Sequence, residues 1–234
     1  MSGEPRPSRR SEAFWGRRKT RALSERKAGL SQTLLPRLSL DLDGGLRTPD
    51  LLFDRPVRAV HVEIGFGGGE HLLHRLANEP DVGFIGVEPF VNGMAKLLAA
   101  ADGMDLVNLR LYGEDAVELL DALPKGSVER IDLLYPDPWP KRKHWKRRFV
   151  NETNMGRIAR ALRVGGEFRF ASDIPSYVDW TLHHVARNGS FRWQAERSAD
   201  WKSPWSGWIR TRYEAKAVRE GRVPIYLRFE RLAR

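Results

Sequence analysis

Between Arg58 and Arg187 short apolar runs alternate with helix-period segments five times over, and that alternation admits few folds. Ala59–Ile64, Val82–Val87, Val107–Leu111, Val128–Leu134 and Glu167–Ala171 read as strands. Helices are predicted over Glu70–Asn78, Asn92–Ala101, Ala116–Leu123, about Arg148–Leu162 (stopped by Gly165 and Gly166) and Tyr177–Arg187. Strand–helix repetition of this kind requires a parallel, doubly wound α/β sheet joined by right-handed crossovers. Two later runs, Phe191–Ala195 and Ile225–Glu230, suit an antiparallel edge hairpin. A short amphipathic segment is expected around Leu30–Leu38, ahead of a loop at Asp41–Pro49.

In such a sheet ligands sit beyond the carboxyl ends of the strands, where strand order reverses, so the strand endings carry the chemistry. The first strand runs into Glu63-Ile64-Gly65-Phe66-Gly67-Gly68-Gly69. Gly65 and Gly67 let the backbone approach a ligand closely and take positive φ. A dinucleotide loop counted from Gly65 needs glycine at position 70, where Glu70 stands, and an acid at a helix start opposes a pyrophosphate. A phosphate-free ligand is therefore expected. Glu63 can accept from the ammonium of an amino acid, or be a water-exposed strand-end acid. Glu88 can take both hydroxyls of a ribose. Asp115 can accept from an adenine amino group, cap the following helix, or do both. Amino acid, ribose and adenine in strand order describe S-adenosylmethionine.

The fourth strand ends in Tyr135-Pro136-Asp137-Pro138-Trp139-Pro140, followed by Lys141 to Arg148, where six of eight residues are Lys or Arg. The prolines fix the backbone around Asp137. Trp139 offers a face for a base to stack on, and the basic run offers phosphate contacts. Net charge is +10, from 40 basic against 30 acidic side chains, and residues 1–27 hold nine basic and three acidic ones. Clustered rather than dispersed charge points to a polyphosphate partner. Residues 1–25 read as a flexible basic arm ahead of a single domain over 26–234. There are no cysteines, which excludes a disulfide framework and favours a reducing cytoplasm. No apolar run reaches the roughly 20 residues of a membrane helix. The histidines lack metal-ligand spacing (His183 and His184 adjacent, His61 within a strand), so no metal is expected.

With these residues in place the chain, from about Trp15 onward, resembles the bacterial tRNA (guanine-N7)-methyltransferases. The resemblance rests on EIGFGGG at 63–69, GVEP at 86–89, PDPW with the basic run, SDIPSY at 172–177, and Thr211-Arg212-Tyr213-Glu214-Ala215-Lys216. It implies a class I, Rossmann-like methyltransferase fold that uses S-adenosylmethionine. Cofactor contacts are implied at Glu63, Glu88 and Asp115, and Gly65, Gly67 and Asp137 are expected to complete that set. A guanine site is implied at Asp137, Lys141, Asp173, Thr211, Arg212, Tyr213 and Glu214, and tRNA contacts at Lys143, His144, Lys146, Arg147 and Arg148. Lys143 departs from the arginine more usual there, which loses bidentate geometry but keeps charge. Asp173 also suits a helix cap before Pro175, and the Trp201, Trp205 and Trp208 region reads as a substrate flap or as a cover for the sheet edge.

Guanine N7 carries a lone pair and no proton, so its methylation requires alignment and no general base. Asp137 is the expected catalytic residue, positioning the base and stabilising the positive charge it gains. Competing readings are an exocyclic-amine methyltransferase acting at adenine N6 or cytosine N4, an NAD-dependent oxidoreductase, and a non-catalytic RNA-binding module. Both monomer and homodimer suit the sequence.

Overall fold

The computed structural model describes residues 16, 18–43, 45, 46 and 48–233. Of the arm expected over 1–25, residues 1–15 and 17 lie outside the described residues. One seven-stranded sheet organises the rest, with β1 at Ala59–Ile64, β2 at Val82–Val87, β3 at Leu109–Tyr112, β4 at Val128–Leu134, β5 at Leu162–Ser172, β6 at Phe191–Trp193 and β7 at Ile225–Arg231. Their order in space is β3-β2-β1-β4-β5-β7-β6, parallel from β3 through β5 and antiparallel at β5–β7 and β7–β6. Strand order reverses between β1 and β4, which is where such sheets open a ligand crevice.

The helices are α1 (Glu25–Thr33), α2 (Leu35–Leu38), α3 (Glu70–Asn78), α4 (Val91–Ala101), α5 (Ala116–Ala122), α6 (Glu152–Ala161), α7 (Pro175–Asn188), α8 (Ala199–Lys202) and α9 (Arg212–Arg219). Period-two alternation sorts the strands between the two helical layers. Val82 and Phe84 of β2 pack with Leu72, Leu76, Leu97 and Leu98 of α3 and α4. Ile85 and Val87 face the other way, with Val60, Val62, Ile64, Ile131 and Phe168, onto α5, α6 and α7. The β1 side chains between its valines are His61 and Glu63, paired in register with Arg130 and Asp132 of β4. On that face, beyond α3, the apolar layer gives way to ion pairs.

Several boundaries differ from the sequence expectation. The helix expected from Arg148 starts at Glu152, because Asn151 is extended and its side chain accepts the Asn154 N–H. Arg142–Arg147 form a 3-10 turn instead. Gly165 and Gly166, expected to end a helix, sit inside β5 where its register against β4 shifts. The two late strands pair, but not as a tight hairpin: residues 194–224 intervene and β7 inserts between β5 and β6. No described helix is long and apolar enough to cross a membrane.

Candidate active site

Beyond the tips of β1, β2 and β4 lies a cavity of about 1490 Å³ lined by Gly65, Glu88, Asp115, Tyr135, Asp137, Trp139, Arg147 and Tyr213, among others. That exceeds the roughly 300–1,000 Å³ of an ordinary small-molecule site, leaving room for a cofactor and a base together.

The cofactor side is built by the loop after β1. Gly67 has φ 60, and a Cβ there would stand 2.9 Å from the Tyr213 ring. Its N–H donates to Glu88 Oε2 at 2.7 Å, and the Phe90 N–H donates to Glu88 Oε1 at 2.9 Å. Burial pushes the Glu88 carboxyl up, against those two bonds, which favour its ionised form. Gly93 of α4 closes the loop from below: a Cβ there would meet Gly67 O at 2.5 Å. Asp115 Oδ1 accepts the Val117 N–H at 3.0 Å, capping α5. Capping leaves Asp115 on the cavity wall. The residues present fit S-adenosylmethionine: glycines with positive φ, buried and half-buried acids at successive strand tips, and no phosphate cradle in the loop.

Glu63 is buried and belongs behind the loop, not on the cavity wall. Its Oε2 meets His71 Nδ1 at 2.7 Å. With Asp132 these two bring one ligand-type atom each to within 4.8 Å of one another, a cluster that spacing along the chain did not reveal. Arg130 Nε already stands 3.0 Å from Asp132 Oδ2. Burial alone would raise the Asp132 pKa, but Arg130 and Arg169 outweigh it and hold the carboxyl low, so the charge a dication would bring is supplied by guanidinium.

On the substrate side Asp137 is open to the cavity by area, yet the surrounding walls raise its carboxyl above the ordinary range. It sits between Tyr135 (φ 51) and Trp139 (φ 42), the two positive-φ residues other than glycine among those described. Arg147 lies over Trp139, guanidinium carbon to ring centre 4.9 Å. Lys141, Lys143 and Lys146 are exposed, and His144 is half-buried beside Trp139. Burial, then the cations Arg147, Lys143, Lys141 and Lys146, hold His144 below its usual range.

Arg148 does not belong with that exposed run. It is 1% exposed, donates to Pro138 O at 2.9 Å, Ser176 O at 2.8 Å and Ser176 Oγ at 3.0 Å, and lies against Trp145, Tyr177 and Trp180. Its side chain is turned inward, where it ties the Asp137 loop to α7. Thr211 caps α9, accepting the Glu214 N–H at 3.2 Å. Glu214 is buried, accepting from Trp208 Nε1 and the Tyr226 hydroxyl, each at 2.7 Å. Asp173 is paired with Arg222. Arg212 donates to the Tyr213 hydroxyl at 2.9 Å, beside the cofactor loop. Of the implied guanine set, Asp137 and Tyr213 thus reach the cavity wall, while Lys141, Asp173, Thr211, Arg212 and Glu214 stand outside its lining.

The chain also places residues here that sequence reading passed over. Gly16 and Thr20 line the cavity, and residues 18–21 are bonded along the start of α4. His71 follows the glycines by two positions; only the loop's return to the strand tip brings it to Glu63.

A doubly wound sheet with glycine loop and acids at its strand tips defines a class I methyltransferase, the class supplied by S-adenosylmethionine. A family model described as "Putative methyltransferase" matches residues 57–227. The tRNA (guanine-N(7)-)-methyltransferase of Chelativorans sp. (strain BNC1) is 56% identical over 230 residues, covering 98% of this chain and 99% of that one. That of Rhizobium meliloti (strain 1021) is 58% identical, covering 97% and 99%. The chain belongs to the tRNA (guanine-N7)-methyltransferase family. Solved structures with the same fold include the 16S rRNA methyltransferase KamB, with TM-score 0.53 and 14% identity over 76% of this chain and 89% of that one.

Proposed function

We propose that this chain transfers a methyl group from S-adenosylmethionine to N7 of a guanine in tRNA, in the variable loop, and that it works in the cytoplasm. The observation that carries this is the continuity of one wall: the acids Glu88, Asp115 and Asp137 share a cavity, and Asp137 leads within four residues into an exposed basic turn. When bound, S-adenosylmethionine supplies an electrophilic methyl group on a sulfonium. Glu88 holds the ribose and Asp115 the adenine; the family resemblance gives the ammonium to Glu63, which stands behind the glycine loop. Asp137 faces the purine, fixes its orientation and stabilises the positive charge that develops on the ring. Tyr213 covers the glycine loop, and the flap from Trp205 to Glu214 carries the remaining contacts to guanine. Lys141, Lys143, Lys146 and Arg147 neutralise phosphates, with His144 among them.

The test is transfer of a radiolabelled methyl group to unmodified tRNA, followed by nucleoside analysis. The expected product is 7-methylguanosine. N6-methyladenosine would overturn the assignment. Asp137→Asn should lower turnover by more than it weakens cofactor binding; full turnover by that variant removes Asp137 from its role.

A further inference from the structure

The buried His71 imidazole has no part in the chemistry above. α3 already packs through Leu72, Leu73 and Leu76. It is 1% exposed, and among the described residues its Nε2 has no hydrogen-bond partner. An imidazole in such a place costs more than an aliphatic side chain would, so packing alone does not account for it. Its two contacts do. Nδ1 is hydrogen-bonded to Glu63 Oε2 at 2.7 Å. The ring lies tilted against Trp208, centroids 5.2 Å apart. Trp208 Nε1 in turn donates to Glu214 Oε2, and Tyr226 holds Glu214 Oε1. A continuous line of contacts therefore runs from the tip of β1 to the first turn of α9, whose Tyr213 rests on Gly67.

We propose that His71 is a positioning residue for methyl transfer: its Nδ1 sets the Glu63 carboxylate for the ammonium end of the cofactor, and its ring seats Trp208 and thereby the guanine-facing segment. This rests on the reading of Glu63 as the ammonium acceptor. The bond to Nδ1 commits one carboxylate oxygen and fixes rotation about the Glu63 Cγ–Cδ bond, so the orientation of the other oxygen behind the glycine loop is set before the cofactor arrives. The ring contact makes the flap's seat depend on the same imidazole. Cofactor end and base end are set by one side chain through two separable contacts.

Two substitutions separate them. His71→Asn keeps an amide N–H near the position of Nδ1 and removes the ring; His71→Phe keeps a ring against Trp208 and removes the donor. Cofactor Kd is measured by calorimetry on the full chain with S-adenosylmethionine, KM and kcat are measured with unmodified tRNA, and Tm is recorded for each variant. His71→Phe should raise cofactor Kd about tenfold, the equivalent of one lost charge-assisted bond, with KM for tRNA nearly unchanged. His71→Asn should retain cofactor affinity and raise KM for tRNA several-fold. Equal effects of both variants on both constants, in step with Tm, would reduce His71 to a packing role and overturn the inference.

Should either variant fail to fold, Trp208→Phe addresses the line from its far end, with KM for tRNA raised and cofactor Kd unchanged. Wild-type behaviour of that variant counts against the proposal. Glu63→Gln distinguishes the two levels. If it binds cofactor normally, the reading of Glu63 fails and the inference falls with it. If it binds weakly while His71→Phe binds normally, His71 alone is refuted.

Discussion

Gly67 and Glu88 are joined by a 2.7 Å hydrogen bond from the glycine N–H to Oε2, fastening the loop after β1 to the acid that ends β2. The other oxygen accepts from Phe90. In Glu88→Gln the amide NH₂ must face one of these two N–H groups, donor against donor. Cofactor Kd should rise at least tenfold, about 1.4 kcal/mol or more, and calorimetry checks it. Because burial raises the Glu88 pKa, protonation competes at a higher pH than for an ordinary glutamate. Cofactor affinity should therefore begin to weaken with acidification before an exposed carboxylate would titrate, and a Kd series from pH 7.5 downward reads this directly.

Arg148 holds the Asp137 loop on α7 through Pro138 O and the Ser176 oxygens. Removing a buried guanidinium with three such bonds costs on the order of 3 kcal/mol. Arg148→Ala should lower Tm by several degrees and depress kcat, with the salt dependence of tRNA binding unchanged. Lys143→Ala should do the reverse: full Tm, weaker tRNA binding and a smaller salt slope. Thermal melts and filter-binding titrations over salt separate the two.

These two residues show where the sequence was legible. β1, β2, β4 and α3 fall on their expected boundaries, because apolar runs of six or seven residues and a leucine stripe preceded by glycines admit one reading. The acids at the tips follow from topology: once the sheet is parallel, Glu88, Asp115 and Asp137 must share an edge. A run of six cations does not say which of them turns inward. Arg148 does so because Trp145, Tyr177 and Trp180 enclose it, and two of those come from a helix nearly thirty residues further on. The same holds for Glu63 and His71, and for Glu214 with Trp208 and Tyr226, whose pairings depend on side-chain direction at element ends. The ion-paired sheet face was also hidden, since alternation marks His61 and Glu63 as polar but not as buried.

Tyr135 and Trp139 take φ 51 and φ 42 on either side of Pro136-Asp137-Pro138. Bulky residues in the left-handed region cost about 1–3 kcal/mol each, tolerated where the surroundings enforce it. Trp139→Gly relieves that cost while deleting the stacking face, so unfolding free energy should move by only about 1 kcal/mol as kcat/KM for tRNA falls at least tenfold. Urea titration with steady-state kinetics measures both; a loss of several kcal/mol would show that no strain resides at Trp139.

His61 is buried between Glu129, at 3.3 Å, and the guanidiniums of Arg130 and Arg75. Burial first, then Arg130, lowers its pKa from 6.5 to about 4, although Asp132 and Glu129 pull the other way. The unfolded chain takes up this proton near pH 6.5 and the folded chain only near 4, so the stabilisation is complete above 6.5 and is lost as pH falls toward 4. The shift corresponds to about 3 kcal/mol over that window. Glu129 is held at about 2 despite its partial burial, chiefly by its bond to Arg163, and its contribution fades only at lower pH. Urea unfolding at intervals from pH 7.5 to 4.5 should show a falling stability that flattens in His61→Gln.

Asn92, at the start of α4, holds residues 20 and 21 beside the cavity. Its Oδ1 accepts the Thr20 N–H at 3.0 Å, its Nδ2 donates to Arg21 O at 2.9 Å, and the neighbouring Val91 N–H donates to Arg18 O at 2.8 Å. Arg18 also meets Glu114 at 2.7 Å, but both side chains are more than half exposed, and such pairs add little. The backbone bonds therefore hold Thr20 in the cavity lining. Asn92→Ala should speed cofactor release several-fold with small change in Tm, because two hydrogen bonds of about 1 kcal/mol each hold Thr20 and Arg21 beside the cavity without supporting the core. Glu114→Gln should leave the release rate alone. Stopped-flow displacement of bound cofactor compares them, and equal rates in Asn92→Ala and the native chain would mean that the segment lines the cavity without restraining what it holds.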